Sequence, residues 1–233
     1  MPLNRVKAGS NMYQGWVTHT HTHLGGECSH GCSYCYVDHI PFGRPAKYKG
    51  EIRLISKELA VKYGSGKTIF IEHLNDLFAR DVPREFIELV LQHCREWPAN
   101  TYVFQTKNPE RLKAWRFPKG SIIGITLETN RDIPGISNAP SPRSRADSFE
   151  DLNAEKKFIT IEPVLDFDVC ELADMIWRID PFFVNLGADS KNHGLPEPTV
   201  EKVGNLVKRL KKMGIDLREK HNLERLKTFE EKG

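Results

Sequence analysis

The chain has 233 residues, a length that suits one large domain, and its 39% apolar and 9% aromatic content can fill a core. Wholesale disorder is thereby excluded. Lys+Arg 34 against Asp+Glu 31 leaves a net charge of +3, too slight to mark a nucleic-acid binder by charge alone. No run approaches the roughly 20 apolar residues of a membrane helix, and Met1-Pro2-Leu3-Asn4-Arg5 lacks the apolar core of a signal peptide. A cytoplasmic protein with no membrane contact is expected.

In chain order, alternating β-branched residues predict a strand over Trp16–Thr20. Ile52, Ile55, Leu59 and Ala60 at helical spacing predict a helix over Glu51–Tyr63, ended by Gly64. Thr68–Ile71 is a short apolar run that predicts a strand buried on both faces. Pro83 opens a helix with Phe86, Ile87, Val90 and Leu91 on one side. Thr101–Phe104 predicts a strand and Asn108–Leu112 a helix start, with Asn108 as cap and Pro109 behind it. Strands are predicted over Ser121–Ile125, Phe158–Ile161 and Phe182–Leu186. Helices are predicted over Ser144–Leu152, Phe167–Arg178 and Thr199–Met213.

Alternation of this kind predicts parallel strands with helices outside. Six strand–helix units are too few for a full eightfold barrel, so the expected fold is α/β, a partial (β/α)6 TIM-like barrel, with an open doubly wound sheet as the other fit. The expected organisation is an N-terminal extension over 1–14, the barrel over 15–213 and a charged, mobile tail over 214–233. The carboxyl ends of the strands form the working face in such folds. Every predicted strand ends there in polar residues, among them His21 and His23, Asn75 and Asp76, Thr106 and Lys107, Thr126 and Glu128, Glu162, and Asp189.

The densest chemical signal is Cys28-Ser29-His30-Gly31-Cys32-Ser33-Tyr34-Cys35, which holds three of the five cysteines. Clustered thiols in a reducing compartment point to metal or redox chemistry and away from a disulfide framework. Three thiolates leave two readings. One is a Cys3His zinc site completed by His30 or His39, in a non-enzymatic module that binds nucleic acid. The other is a 4Fe-4S cluster with its fourth iron open to a small molecule. Zinc sites usually come as two short pairs across a longer loop, a spacing missing here, so iron is favoured. Cys94 and Cys170 stand alone in predicted helices and are expected as buried filler.

The spacing Cys28-x3-Cys32-x2-Cys35, with Tyr34 before the third cysteine, resembles the signature of the radical S-adenosylmethionine superfamily. Gly31–Tyr36, Asn75–Phe78, Gln105–Leu112, Gly124–Thr129 and Ile161-Glu162-Pro163 further resemble a phage-associated family related to spore photoproduct lyase. The resemblance implies that Cys28, Cys32 and Cys35 ligate a 4Fe-4S cluster and that S-adenosylmethionine chelates the fourth iron. Tyr34 would then lie beside the adenine, Asn75 and Asp76 at the methionine amino group, and Thr106 and Lys107 near its carboxylate. Thr126, Glu128 and Glu162 become ribose or substrate contacts. Catalytic roles are expected for Lys107, Glu128, His21 and His23. The implied partners are an electron donor such as flavodoxin or ferredoxin and a nucleotide or nucleic-acid substrate, for repair or modification.

Weaker signals are weighed against bland alternatives. Gly64-Ser65-Gly66-Lys67-Thr68 lacks the first glycine of a phosphate loop and precedes a strand, so it is rejected. His19, His21 and His23 share one strand face, fit either for a second metal or for plain hydrogen bonding. Arg143 and Arg145, with Arg80, Arg84 and Lys107, are a candidate basic rim. Trp97, Trp115 and Trp177 are expected in packing roles, and Trp16 as a wall of the cofactor pocket.

Overall fold

The computed structural model describes residues 3–7, 15–40 and 42–227. In chain order it contains β1 (Asn4–Arg5), β2 (His19–His21), β3 (Leu24–Gly25), β4 (Arg53–Leu54), α1 (Ser56–Leu59), β5 (Thr68–Ile71) and α2 (Arg84–Arg95). There follow β6 (Thr101–Thr106), β7 (Ile122–Thr126), α3 (Pro142–Glu150), β8 (Lys156–Ile161), α4 (Val169–Ile179), β9 (Phe183–Leu186), α5 (Val200–Lys212) and β10 (Leu217–Glu219). One sheet runs in the order β1-β2-β5-β6-β7-β8-β9-β10. Only the β1–β2 pairing in it is antiparallel. β3 and β4 form a separate antiparallel ribbon.

Strand alternation sorts the side chains onto two faces. Outward residues such as Ile71, Tyr102, Ile125 and Ile161 pack with Ile87, Val90 and Ile176 of the helices in the main core. Inward residues Phe70, Val103, Phe158 and Phe183 make a second cluster with Val17. The Trp16 ring lies 5.0 Å from that of Phe183 and 5.7 Å from that of Phe158. Five strand steps separate β2 from β9, which in a flat sheet is about 24 Å at about 4.8 Å per step. The sheet therefore curls around this aromatic plug as a partial barrel. Trp16 seals the end where the strands begin and does not wall the opposite, working end.

Gly124 faces Phe158 across the β7–β8 register, and a Cβ at Gly124 would overlap the Phe158 ring. Gly124→Ala is expected to cost about 2–3 kcal/mol through overpacking. Thermal unfolding should shift down by about 5–10 °C; an unchanged midpoint would show that the plug is not close-packed.

Several expectations are corrected. Over 51–63 only Ser56–Leu59 is helical, because Leu54 pairs with Leu24 and Arg53 with Gly25. Gly26, at φ +90°, passes so close to the Glu51 backbone that no Cβ fits, and this contact holds 51–54 extended. The segment from Pro109 to Ala114 is a 3-10 helix, and the Asn108 side chain donates to the Phe78 carbonyl (3.0 Å) without capping it. Leu217–Glu219 is an edge strand paired with β9, so the expected tail belongs in part to the sheet. Cys94 is buried as expected but Cys170 is exposed. Trp177 is exposed as well. No helix among the described residues is long and apolar enough to cross a membrane.

Candidate active site at the cysteine loop

The cysteine loop leaves the β3–β4 ribbon and folds on itself. The Gly31 N–H donates to the Cys28 carbonyl (3.2 Å) and the Cys35 N–H to that of Cys32 (3.0 Å). Residues 136–138 strap it from outside. The Ser33 N–H donates to Ile136 (2.9 Å), and the Asn138 N–H and Ser137 hydroxyl both donate to the His30 carbonyl (2.7 and 3.1 Å). From the strand side, Asn75 Nδ2 donates to the Gly26 carbonyl (3.1 Å), and His30 Nε2 bonds Asp76 Oδ2 (2.8 Å). That same oxygen accepts the Thr106 hydroxyl (2.9 Å) and the Lys107 N–H (2.8 Å). Asp76 thus ties the loop to the ends of β5 and β6. Although burial opposes its charge, the His30 contact and these donors hold its carboxyl below the usual range.

The loop closes one wall of a cavity of about 450 Å³ at the carboxyl ends of the strands, a volume typical of small-ligand sites. Cys28, Cys32, Tyr34 and Cys35 line that wall; Gln105, Thr106, Lys107, Thr126, Thr160 and Glu162 line the others. The floor is a hydrogen-bonded belt above the aromatic plug. Gln105 Nε2 donates to Thr126 Oγ1 (2.8 Å), the Thr160 hydroxyl to Gln105 Oε1 (3.3 Å), and Asn185 Nδ2 to Thr160 Oγ1 (3.4 Å).

Lys107 is the charged centre of the site. Its Nζ stands 3.3 Å from Cys32 Sγ, 3.6 Å from Glu128 Oε1 and 4.7 Å from the centroid of the Tyr34 ring. Burial works against its charge, but Cys32, Tyr34 and Glu128 outweigh that and raise its pKa well above the usual lysine value. Glu128 also accepts the Tyr34 hydroxyl and Arg145 Nη1 (2.7 Å). Burial would raise its carboxyl, yet Arg145 and Lys107 pull it down to about 2. Burial pushes the Cys28 thiol up to about 12 and raises Cys35. A thiolate there therefore needs a cation directly against it. Three soft sulfur donors from one loop, facing a cavity with room for a further ligand, fit a cluster left open on one iron.

The structure brings most of the candidate residues together. Cys28, Cys32, Cys35, Tyr34, Thr106, Lys107, Thr126 and Glu162 all line the cavity, as do Asn75 and Asp76. The side chains of Asn75 and Asp76, however, clamp the loop, and Asp76 Oδ2 already takes three donors. Glu128 lies behind the wall, buried, and reaches the cavity only through its contacts with Tyr34 and Lys107. His21 and His23 are corrected: His21, on the outward face of β2, and His23, two residues past it, lie under α2, where both contact the His93 ring. Arg145 is buried on Glu128 and is no rim residue. His30 is committed to Asp76, and the His39 ring packs on that of His193 (4.4 Å between centroids), so neither candidate fourth zinc ligand is poised for that task.

Two participants were missed in the sequence. Lys220 and Asn222, just after β10, both donate to Glu162, Asn222 Nδ2 at 2.8 Å. Polar residues in so charged a stretch read as solvated, and the β9–β10 pairing brings Lys220 to the cavity wall and Asn222 behind it onto Glu162.

Residues 14–180 match a family model described as "Protein of unknown function (DUF5131)". Among curated proteins none matches the chain. In structure the chain is similar to a cysteine-to-serine variant of spore photoproduct lyase (TM-score 0.57, 11% identity, covering 93% of this chain and 80% of that one). A variant of the same lyase with bound S-adenosylmethionine and dinucleoside spore photoproduct aligns at TM-score 0.53 and 13% identity, over 92% of this chain and 67% of that one. Streptococcus suis SuiB bound to precursor peptide SuiA aligns at TM-score 0.58 and 11% identity, over 88% of this chain and 49% of that one. At these identities the likeness shows the fold, which is of the radical S-adenosylmethionine type.

Proposed function

The chain belongs to the family described as protein of unknown function DUF5131, and from that premise we propose that it is a radical S-adenosylmethionine enzyme acting on a nucleotide or nucleic acid. The observation that carries this reading is the convergence of Cys28, Cys32 and Cys35 on one cavity wall beside Lys107. When bound there, a 4Fe-4S cluster supplies one electron to S-adenosylmethionine, whose reductive cleavage yields methionine and a 5′-deoxyadenosyl radical able to take a substrate hydrogen.

The chain's own residues supply position and shielding. Lys107 offers a fixed cation to a carboxylate entering the cavity, and Glu128 and Arg145 hold it and Tyr34 in place. The aromatic plug shuts the far end, so ligands and water enter only past the strand ends. Thr126, Thr160 and Gln105 present hydroxyl and amide groups to a sugar or base. The substrate class is supported by the likeness to a lyase whose structure holds a dinucleoside. SuiB, the peptide-bound relative in fold, is about twice the length this chain covers.

The test is anaerobic reconstitution with iron and sulfide, then reduction by dithionite with S-adenosylmethionine present. The expected product is brown protein with about four irons per chain and 5′-deoxyadenosine on chromatography. Deuterated oligonucleotides should pass label into that product, and peptides should not. A colourless protein that takes up zinc at the cysteine loop and leaves S-adenosylmethionine intact would instead make the loop a zinc module.

A further inference from the structure

The histidines that miss the cavity make a closed site of their own. One nitrogen from each of His21, His23 and His93 lies within 4.8 Å of the others. The three residues are 5%, 0% and 3% exposed, and Tyr63, which joins them, is 1% exposed. The inner atoms form a continuous set. Tyr63 Oη stands 2.6 Å from His21 Nδ1 and 3.0 Å from His23 Nε2, and His23 Nε2 stands 2.9 Å from His93 Nδ1.

The outer nitrogen of each ring has an acceptor. His93 Nε2 donates to the Val61 carbonyl (2.8 Å), which can only accept. His21 Nε2 donates to Glu58 Oε2 (3.1 Å), whose other oxygen takes Lys47 Nζ (3.2 Å). His23 Nδ1 pairs with Glu72 Oε1 (2.7 Å), a buried carboxyl that also takes the backbone N–H groups of His23 and Leu24 and, when ionised, accepts from the ring. With all three outer nitrogens protonated, neutral rings leave three inner lone pairs facing one another. One proton is present among them, that of Tyr63, and its shortest contact is with His21. The 2.9 Å contact between His23 and His93 then has no proton in it. A buried pair of lone pairs at that distance calls for a cation, either a metal ion or a proton such as Glu72 could lend, since burial pushes its carboxyl up to about 7.

We propose that this cation is a divalent transition-metal ion of the zinc type, held by His21 Nδ1, His23 Nε2, His93 Nδ1 and the Tyr63 oxygen. Three imidazoles and one oxygen are a zinc donor set, and carboxylates or a carbonyl behind each imidazole are the usual outer partners of metal-bound histidine. A tetrahedral site needs donor separations of about 3.3 Å, so on loading the contacts of 2.6, 2.9 and 3.0 Å open by under about 1 Å, and the nitrogen pairs, which lie within 4.8 Å of one another, close by up to about 1.5 Å. Relative to a protonated site, the ion replaces two protons, the phenol's and the one shared by His23 and His93. The buried charge is thereby unchanged, with Glu58 and Glu72 one layer out. The site has no open ligand position, which marks it as structural. It pins α2 and the 61–63 segment to β2, the strand that feeds the cysteine loop; its histidines do not line the cavity, and Glu72 is the group that both lines the cavity and backs the site.

The experiment is zinc-edge X-ray absorption and metal analysis on full-length protein loaded with zinc, before any iron is added. We expect about one zinc per chain with a nitrogen and oxygen shell and no sulfur. That zinc should persist when Cys28, Cys32 and Cys35 are all replaced by alanine, and fall at least tenfold in His93→Ala and in His23→Ala. A shell of sulfur without this nitrogen set, zinc lost with the cysteines, or zinc-free wild type would overturn the assignment and leave a shared proton in the cluster. Should the histidine variants fail to fold, the wild-type absorption spectrum still decides between nitrogen and sulfur ligation. Failure of the radical reading would appear separately, as absence of 5′-deoxyadenosine from a protein that keeps its histidine-bound zinc.

Discussion

Cys32→Ala is expected to abolish cluster loading and with it the reductive cleavage of S-adenosylmethionine. Cys32 is the thiol nearest Lys107 and also lies 3.3 Å from the Ser137 hydroxyl of the strap. It is the midpoint of a three-donor set with no other cysteine nearby to substitute. Cys94 is buried in α2, and Cys170 is exposed on α4. Removing even an outer partner of a metal ligand costs up to about 100-fold, so loss of a ligand should exceed about 100-fold in 5′-deoxyadenosine formed. Cys28→Ala and Cys35→Ala should match it, while Cys170→Ala should leave both iron content and product unchanged. A Cys32→Ala protein that holds iron and stays within about tenfold of wild type would remove the loop from the chemistry.

The second large effect is on stability. Glu128 is 2% exposed, Arg145 is 4% exposed, and Lys107 adds a second, partly buried cation to the same carboxylate. Glu128→Ala would leave both cations uncompensated, at a cost of about 3–5 kcal/mol. Urea denaturation should read this as a lower midpoint with an unchanged slope; a loss below about 1 kcal/mol would mean water reaches the network. The pH dependence has a definite sign. The Glu128 carboxyl is depressed to about 2 in the folded chain, from an ordinary value of 4.5. Its contribution, on the order of 3 kcal/mol, is therefore complete above about pH 4.5 and is lost as pH falls toward 2. In Glu128→Gln that part of the acid sensitivity should vanish.

Much of this molecule was legible in its residues. The short apolar runs at Thr68–Ile71 and Phe158–Ile161 read as strands, the first as one buried on both faces, and both are strands in the sheet. The helix predicted over Thr199–Met213 appears over Val200–Lys212 with Thr199 as its cap, because its stripe and its cap agree. The cysteine loop and Tyr34 are legible because motif spacing is a local property, and Lys107 because it follows a predicted strand in a stretch that resembles the lyase family; they meet at one cavity.

Other features had no local signature. Asn75 and Asp76 read as ligand-binding groups, yet three donors converge on Asp76 from elements 30 or more residues away. Arg145 has the look of a surface arginine, and only the packing of α3 against β7 buries it on Glu128. His21 and His23 share a face by strand alternation, but alternation does not say which face is the barrel's inside. That choice was made by Phe70, Phe158 and Phe183, which fill the interior and send the histidines outward to His93. The sequence by itself thus determined the elements, their alternation and the thiol-bearing loop, because periodicity and motif spacing act over a few residues. The curl of the sheet, the charge network behind Lys107 and the closed histidine site were decided only by tertiary structure. They depend on contacts between residues far apart in the chain, where burial removes water and forces each polar group to find a partner.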